Sequence, residues 1–149
     1  MTHNEAIENI KVAVFVLKRD KGNGEMQPLQ TVDETEKWID ISVLVRISQK
    51  QEYNEKLHLF LVHMNDKNEY STFSAAEISL NSEGIAAEGG VESASQFLRL
   101  PKEEYTTYQI RRYNLFNIPL NGKGTYAVVV AEKENDLNDI LDAYYFDVK

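Results

Sequence analysis

Short runs of β-branched and aromatic residues recur along this chain, each closed by turn-forming residues, and no helical periodicity is sustained beyond two turns. The first run, Ile10 to Leu17, reads Ile-Lys-Val-Ala-Val-Phe-Val-Leu and ends at the polar, Gly-containing stretch Arg19 to Glu25. In the second, Ile39 to Ser48, Ile41, Val43, Val45 and Ile47 share one face while Ser42, Leu44 and Arg46 share the other, because successive side chains of a strand point to opposite sides. In Leu57 to Met64, Leu57, Leu59 and Leu61 alternate with His58, Phe60 and Val62, so both faces are apolar and the spacing predicts a strand inside a sheet.

Turn chemistry at Asn65-Asp66-Lys67-Asn68 predicts a return strand from Glu69 to Phe73, extending towards Ile78. Between Ser79 and Gln96, Gly84, Gly89 and Gly90 lie among small and acidic residues with little periodicity, which fits a long loop or a short strand at Ile85 to Ala87. Phe97 to Leu100 reads as extended, Pro101 stops it, and Lys102 to Tyr105 suits one helical turn. Further strands are expected at Gln109 to Ile118, Thr125 to Glu132 and Ala143 to Val148, with a turn at Asn121-Gly122-Lys123-Gly124. The polar Lys133 to Asp142 fits a hairpin tip or one helical turn. Seven to nine short strands without crossover helices imply an all-β, antiparallel β-sandwich, with a closed barrel as the rival. The 149 residues suit a single domain over 1–149, with 1–8 as a flexible N-terminal segment.

Zero cysteines remove disulfides, thiolate metal sites and thiol nucleophiles. A formal charge of −8 disfavours nucleic acid and anionic membranes as partners, since both reward positive charge. No apolar run is long enough for a membrane helix, and the start lacks a signal-peptide pattern, so a cytoplasmic protein is expected.

The opening strand, together with Asn114-Leu115-Phe116-Asn117-Ile118, then Gly124-Thr125-Tyr126-Ala127-Val128-Val129-Val130, then Tyr145-Phe146-Asp147-Val148, resembles bacterial immunoglobulin-like or C2-like sandwiches. A Gly-x-Tyr at the start of the penultimate strand is frequent in such domains. The resemblance covers the last 35 residues or so and the first strand; it implies the fold and no particular activity.

Chemistry-bearing residues are few. Tyr105, Tyr108 and Tyr113 are interleaved with Arg99, Lys102, Arg111 and Arg112, a composition that anchors protein partners or stacks bases. Strand geometry divides the set, with Arg111 and Tyr113 on one face and Arg112 on the other, and cross-strand packing is the simpler explanation. Glu134, Asp136, Asn138, Asp139 and Asp142 could surround calcium between two strands, although Ile140 interrupts the EF-hand pattern and a solvated loop is the simpler explanation. His58 and His63 fall on opposite faces of one strand and cannot easily chelate one ion. Trp38 could be a carbohydrate-stacking platform or, more simply, a core side chain. Gly84 to Gly89 has phosphate-loop spacing but is followed by Gly90-Val91 instead of Lys-Ser/Thr, and the adjacent Glu103 and Glu104 diverge on any regular backbone.

These features together favour a non-catalytic protein-interaction or assembly module without a cofactor, binding a protein partner or itself. The competing expectations are a calcium- or carbohydrate-binding sandwich, and an enzyme with a dispersed carboxylate and histidine site.

Overall fold

A computed structural model describes residues 10–49, 56–80 and 107–149, the side chains of 107–109 excepted. The strands are β1 (Ile10–Arg19), β2 (Met26–Pro28), β3 (Thr31–Val32), β4 (Trp38–Gln49), β5 (Lys56–Met64), β6 (Tyr70–Ser79), β7 (Thr107–Pro119), β8 (Gly124–Ala131) and β9 (Ile140–Val148). They form a four-stranded sheet, ordered β2-β1-β4-β7, and a five-stranded sheet, ordered β3-β9-β8-β5-β6. Inward-facing aliphatic side chains of both sheets merge into one core, so the architecture is a β-sandwich. Among the described residues there is no helix.

β4 is the spine of the first sheet. Ile39, Ile41, Val43, Val45 and Ile47 all face inward and are buried, meeting Leu57, Leu59 and Ile78 in the shared core. Each such side chain contributes on the order of 1.5–3 kcal/mol of hydrophobic stabilisation. β4 pairs with β1 from Asp40 to Gln49 on one side and with β7 from Trp38 to Gln49 on the other. β5 lies between β8 and β6, as its two apolar faces require. Its outward Phe60 and Val62 join Ala127, Val129 and Ala131 in a second, smaller core, against which Leu137, Ile140 and Ala143 pack. The acidic β8–β9 connection is thus a flap that folds over the five-stranded sheet through Leu137.

The expectation of a wholly antiparallel sandwich is corrected at β3, which pairs in parallel with β9. The chain leaves the β1–β2 hairpin still bonded to the first sheet, Leu29 N–H donating to Val16 O. Immediately afterwards it crosses to the second sheet, where Asp147 N–H donates to Gln30 O and Lys149 N–H to Val32 O. Burial of Leu29 and Val32 holds both ends of this crossing. Side chains stitch the same edge of the sandwich. Asp142 Oδ2 accepts the Val14 backbone N–H at 2.7 Å, and the Tyr144 hydroxyl donates to Leu29 O at 2.6 Å.

The β7–β8 turn is fixed by Tyr126. Its buried ring stacks between His63 and Phe146, while its hydroxyl donates to Gly122 O and accepts the Asn121 N–H. Burial pushes the Tyr126 phenol above its ordinary value, an effect the Asn121 hydrogen bond partly offsets. Gly124 has φ +144°, and a Cβ there would collide with the Met64 carbonyl and sit 2.8 Å from His63 Nε2, so glycine is required.

Two side-chain deletions separate these supports. Tyr126→Phe and Asp142→Ala should each lower stability by about 1–3 kcal/mol in urea unfolding, whereas Asp142→Asn, which keeps an oxygen acceptor for Val14 N–H, should lose less.

Candidate functional site

The pairing of β1, β4 and β7 determines which side chains share the outward face of the four-stranded sheet. With β4's odd-numbered aliphatic residues turned into the core, Trp38, Asp40, Ser42, Leu44, Arg46 and Ser48 must face out. Register then assembles cross-strand rows: Ala13–Arg46–Ile110, Phe15–Leu44–Arg112 and Leu17–Ser42–Asn114, with Lys11 beside Ser48 and Arg19 beside Asp40. The Leu17–Ser42–Asn114 row is closed by a hydrogen bond from the Ser42 hydroxyl to Asn114 Oδ1 at 2.9 Å.

A bulge in β7 shapes one end of this face. Asn117 adopts φ +54°, and its extra N–H donates to Asp40 Oδ1 at 2.7 Å. Phe116 stands beside the bulge with the Arg19 guanidinium carbon 5.8 Å from its ring centroid, a cation–π contact. Phe116 and Trp38 are both more than half exposed. Phe15 leans over the β1 edge, its ring meeting Tyr144 edge-on at 5.5 Å, and still leaves 41% of its surface in solvent.

The strand positions of this face carry four cations, Lys11, Arg19, Arg46 and Arg112, and one carboxylate, Asp40, which the bulge already engages. That balance is opposite in sign to the chain's −8. Lys18, Lys56, Lys123 and Lys133 each sit within 4 Å of a carboxylate, at 3.0, 3.2, 3.4 and 3.6 Å. Arg46 and Arg112 are exposed and have no such partner among the described residues. They occupy diagonal positions on adjacent strands, where neighbours lie about 7–8 Å apart, within reach of long side chains.

The Arg–Tyr set expected from the sequence is therefore divided. Arg112 belongs to the outward face. Arg111 and Tyr113, opposite the buried Val45 and Val43, turn to the inner side, and Tyr113 packs against the core. Tyr108 is in register with Ser48, but its side chain lies outside the described residues, as does all of Tyr105. Residues 1–8, the Gly84 to Gly90 stretch and Glu103–Glu104 also lie outside them. Trp38, most simply expected in the core, is 54% exposed, because at the start of β4 it falls on the side opposite the buried Ile39 and Ile41.

The acidic connection does not converge on a point. Asp136 Oδ1 accepts the Asn138 N–H in a local turn, Asp139 lies 3.6 Å from Lys133 Nζ, Asp142 is committed to Val14, and Glu134 accepts the Ser74 hydroxyl. Among the described residues, no group of three or more histidine and carboxylate side chains is placed to hold a metal ion. His58 shares a depression of about 180 Å³ with Ser74, Glu77 and Glu134, but Glu77 is paired with Lys56 and Glu134 with Ser74. His63 lies flat on Tyr126 with ring centroids 4.1 Å apart, its Nε2 within 3.2 Å of the Lys123 carbonyl, and no carboxylate lines its depression.

Arg19, Arg46, Phe15 and Phe116 are the residues that composition alone did not single out. Alternation put Arg46 opposite the aliphatic face of its strand, but only the β1-β4-β7 order brings it beside Arg112.

Because the acidic side chains are held by separate partners, millimolar calcium should leave the melting temperature unchanged, and Asp136→Ala with Asp139→Ala should not alter that. Calorimetry with and without a chelator checks this; a calcium-dependent rise lost in the double variant would contradict it.

No model of a known protein family matches the chain, and no curated protein matches it in sequence, so what the outward face does follows from its own chemistry.

Proposed function

We propose that this protein is a non-catalytic interaction module, an immunoglobulin-like sandwich that presents the outward face of β1, β4 and β7 to a protein partner. The observation that carries this reading is the pair Arg46 and Arg112, exposed and without an ion pair among the described residues, on the same face as the exposed Phe15 and Phe116. Arginine and aromatic side chains are the residues that most often anchor protein interfaces, since each buries a large rigid surface while keeping a directional contact. A solitary exposed aromatic would carry no such weight.

The immunoglobulin-like form is favoured over the C2-like one by two features. The orders β1-β4-β7 and β5-β8-β9 match the way immunoglobulin sheets place their first, second and fifth strands and their third, sixth and seventh. Tyr126, at the start of β8 with its hydroxyl returned to Gly122 O four residues earlier, has the geometry of the tyrosine corner of that class. A cytoplasmic location belongs to the same proposal. It accords with the finding that, among the described residues, no helix is long and apolar enough to cross a membrane.

Affinity capture of the tagged protein from its native lysate tests the interaction surface. A reproducible near-stoichiometric protein should be retained by the wild type and by a Lys133→Glu control, and lost from Arg46→Glu with Arg112→Glu. Equal retention by all three would place the contact elsewhere.

One observation favours a second reading, a carbohydrate-binding surface: the exposure of Trp38 on the same face. As the chain's single tryptophan, it reports directly on saccharide stacking by fluorescence. On the protein-interaction reading, titration with oligosaccharides should leave its emission unchanged.

A further inference from the structure

The outward face is not uniform, and its layout restricts what can sit on it. Arg46 and Arg112 lie diagonally across β4 and β7, with Lys11 one cross-strand row beyond Arg46. Phe15 and Leu44 share the row of Arg112, and Leu17 lies in the next row along β1. Arg19 and Phe116 stand at the far end, six strand positions from Arg46, or about 20 Å at ~3.3 Å per residue. Arg112 therefore shares its row with the apolar Phe15 and Leu44, Arg46 flanks that row on one side, and the Arg19–Phe116 cation–aromatic pair closes the far end.

We infer that the occupant of this face is an acidic protein segment, one that sets carboxylates against Arg46 and Arg112 and apolar side chains over Phe15, Leu17 and Leu44. This rests on the interaction-module reading and goes beyond it by naming the partner's chemistry. Charge complementarity carries the assignment. A guanidinium matches a carboxylate with two parallel N–H···O bonds, and neither of these arginines spends that capacity within the described residues. The adjoining apolar side chains reward the aliphatic or aromatic residues of a polypeptide, which a bare polyanion does not offer.

The alternatives are less well served. Nucleic acid presents phosphates at close, regular intervals and gains affinity from each one neutralised, so a stripe of cations suits it. Here Arg46 and Arg112 are interleaved with the apolar Phe15, Leu44, Leu17 and Ile110, which phosphates do not reward, and Arg19 already lies over the Phe116 ring. Beyond a Debye length of about 8 Å in physiological salt the local pair is screened, and any larger polyanion or anionic bilayer also approaches a chain of charge −8.

The test uses the full chain and four fluorescent or light-scattering probes: a peptide of glutamate and leucine, the same peptide with lysine for glutamate, an oligothymidylate of about 20 nucleotides, and phosphatidylserine-containing vesicles. Binding of the Glu/Leu peptide in preference to the other three is expected. Arg46→Glu with Arg112→Glu should weaken it by at least about tenfold, and Lys133→Glu should not. Because both arginines are exposed, circular dichroism and melting of the double variant should match the wild type, so loss of binding is read on folded protein.

Three results would overturn the assignment: equal binding of the lysine peptide, tighter binding of oligothymidylate or vesicles, or peptide affinity that the double variant leaves within about twofold. Lysate capture that still depends on Arg46 and Arg112 while the Glu/Leu peptide is ignored would overturn the acidic segment alone and leave the interaction face in place. Capture indifferent to both arginines would remove the face itself.

Discussion

The aliphatic ladder of β4 is the constraint from which the rest of this fold follows. Five alternate positions, Ile39, Ile41, Val43, Val45 and Ile47, are buried at 3% exposure or less in the centre of the sandwich. A strand has a side-chain period of two, so a shift of one residue would carry all five into solvent and bring Arg46 into the core. Register is therefore strongly specified, and with it the identity of the outward face. β1 and β7 read their own registers off β4, which is how Phe15, Arg46 and Arg112 come to stand together although they are far apart in the chain.

The two outer surfaces of the sandwich are treated differently. On the five-stranded sheet, Phe60, Val62 and Val129 are buried, with Leu137 and Ile140 of the β8–β9 connection packed against them. The acidic residues of that connection are held by Lys133, Ser74 and the backbone, which makes them part of a fastening and leaves no convergent ion site. The four-stranded sheet keeps Phe15, Trp38 and Phe116 exposed, and sets arginine among them. On the proposed reading, the cations gathered on this face set a local field opposite in sign to the chain's −8, which favours acidic partners.

Much of this architecture was legible in the sequence because the longer strands announce themselves. Ile10 to Leu17, Ile39 to Ser48 and Leu57 to Met64 show their periodicity without ambiguity, and each strand in the structure extends one or two residues past the pattern at one end or at both. β2 and β3 were not legible. They are three and two residues long, too short for any period to register, and β3 is held by hydrogen bonds to β9, distant in sequence. The β7 bulge was equally invisible, since nothing in Phe116-Asn117 signals that Asp40 will accept an extra N–H. The candidate face was half legible: alternation put Arg46 and Leu44 together and parted Arg111 from Arg112. Which strands are neighbours depends on tertiary packing, and that packing made Arg46 and Arg112 a pair and moved Trp38 from an expected core to the surface.

The most direct measurement on the central claim, that the outward face of β1, β4 and β7 is an open arginine-bearing contact surface, is arginine-selective dicarbonyl footprinting read by mass spectrometry. It should be carried out on the free protein and on its complex with the captured partner. Arg46 and Arg112 should be modified rapidly in the free protein and protected in the complex. Slow modification in the free protein, or unchanged modification in the complex, would contradict the account.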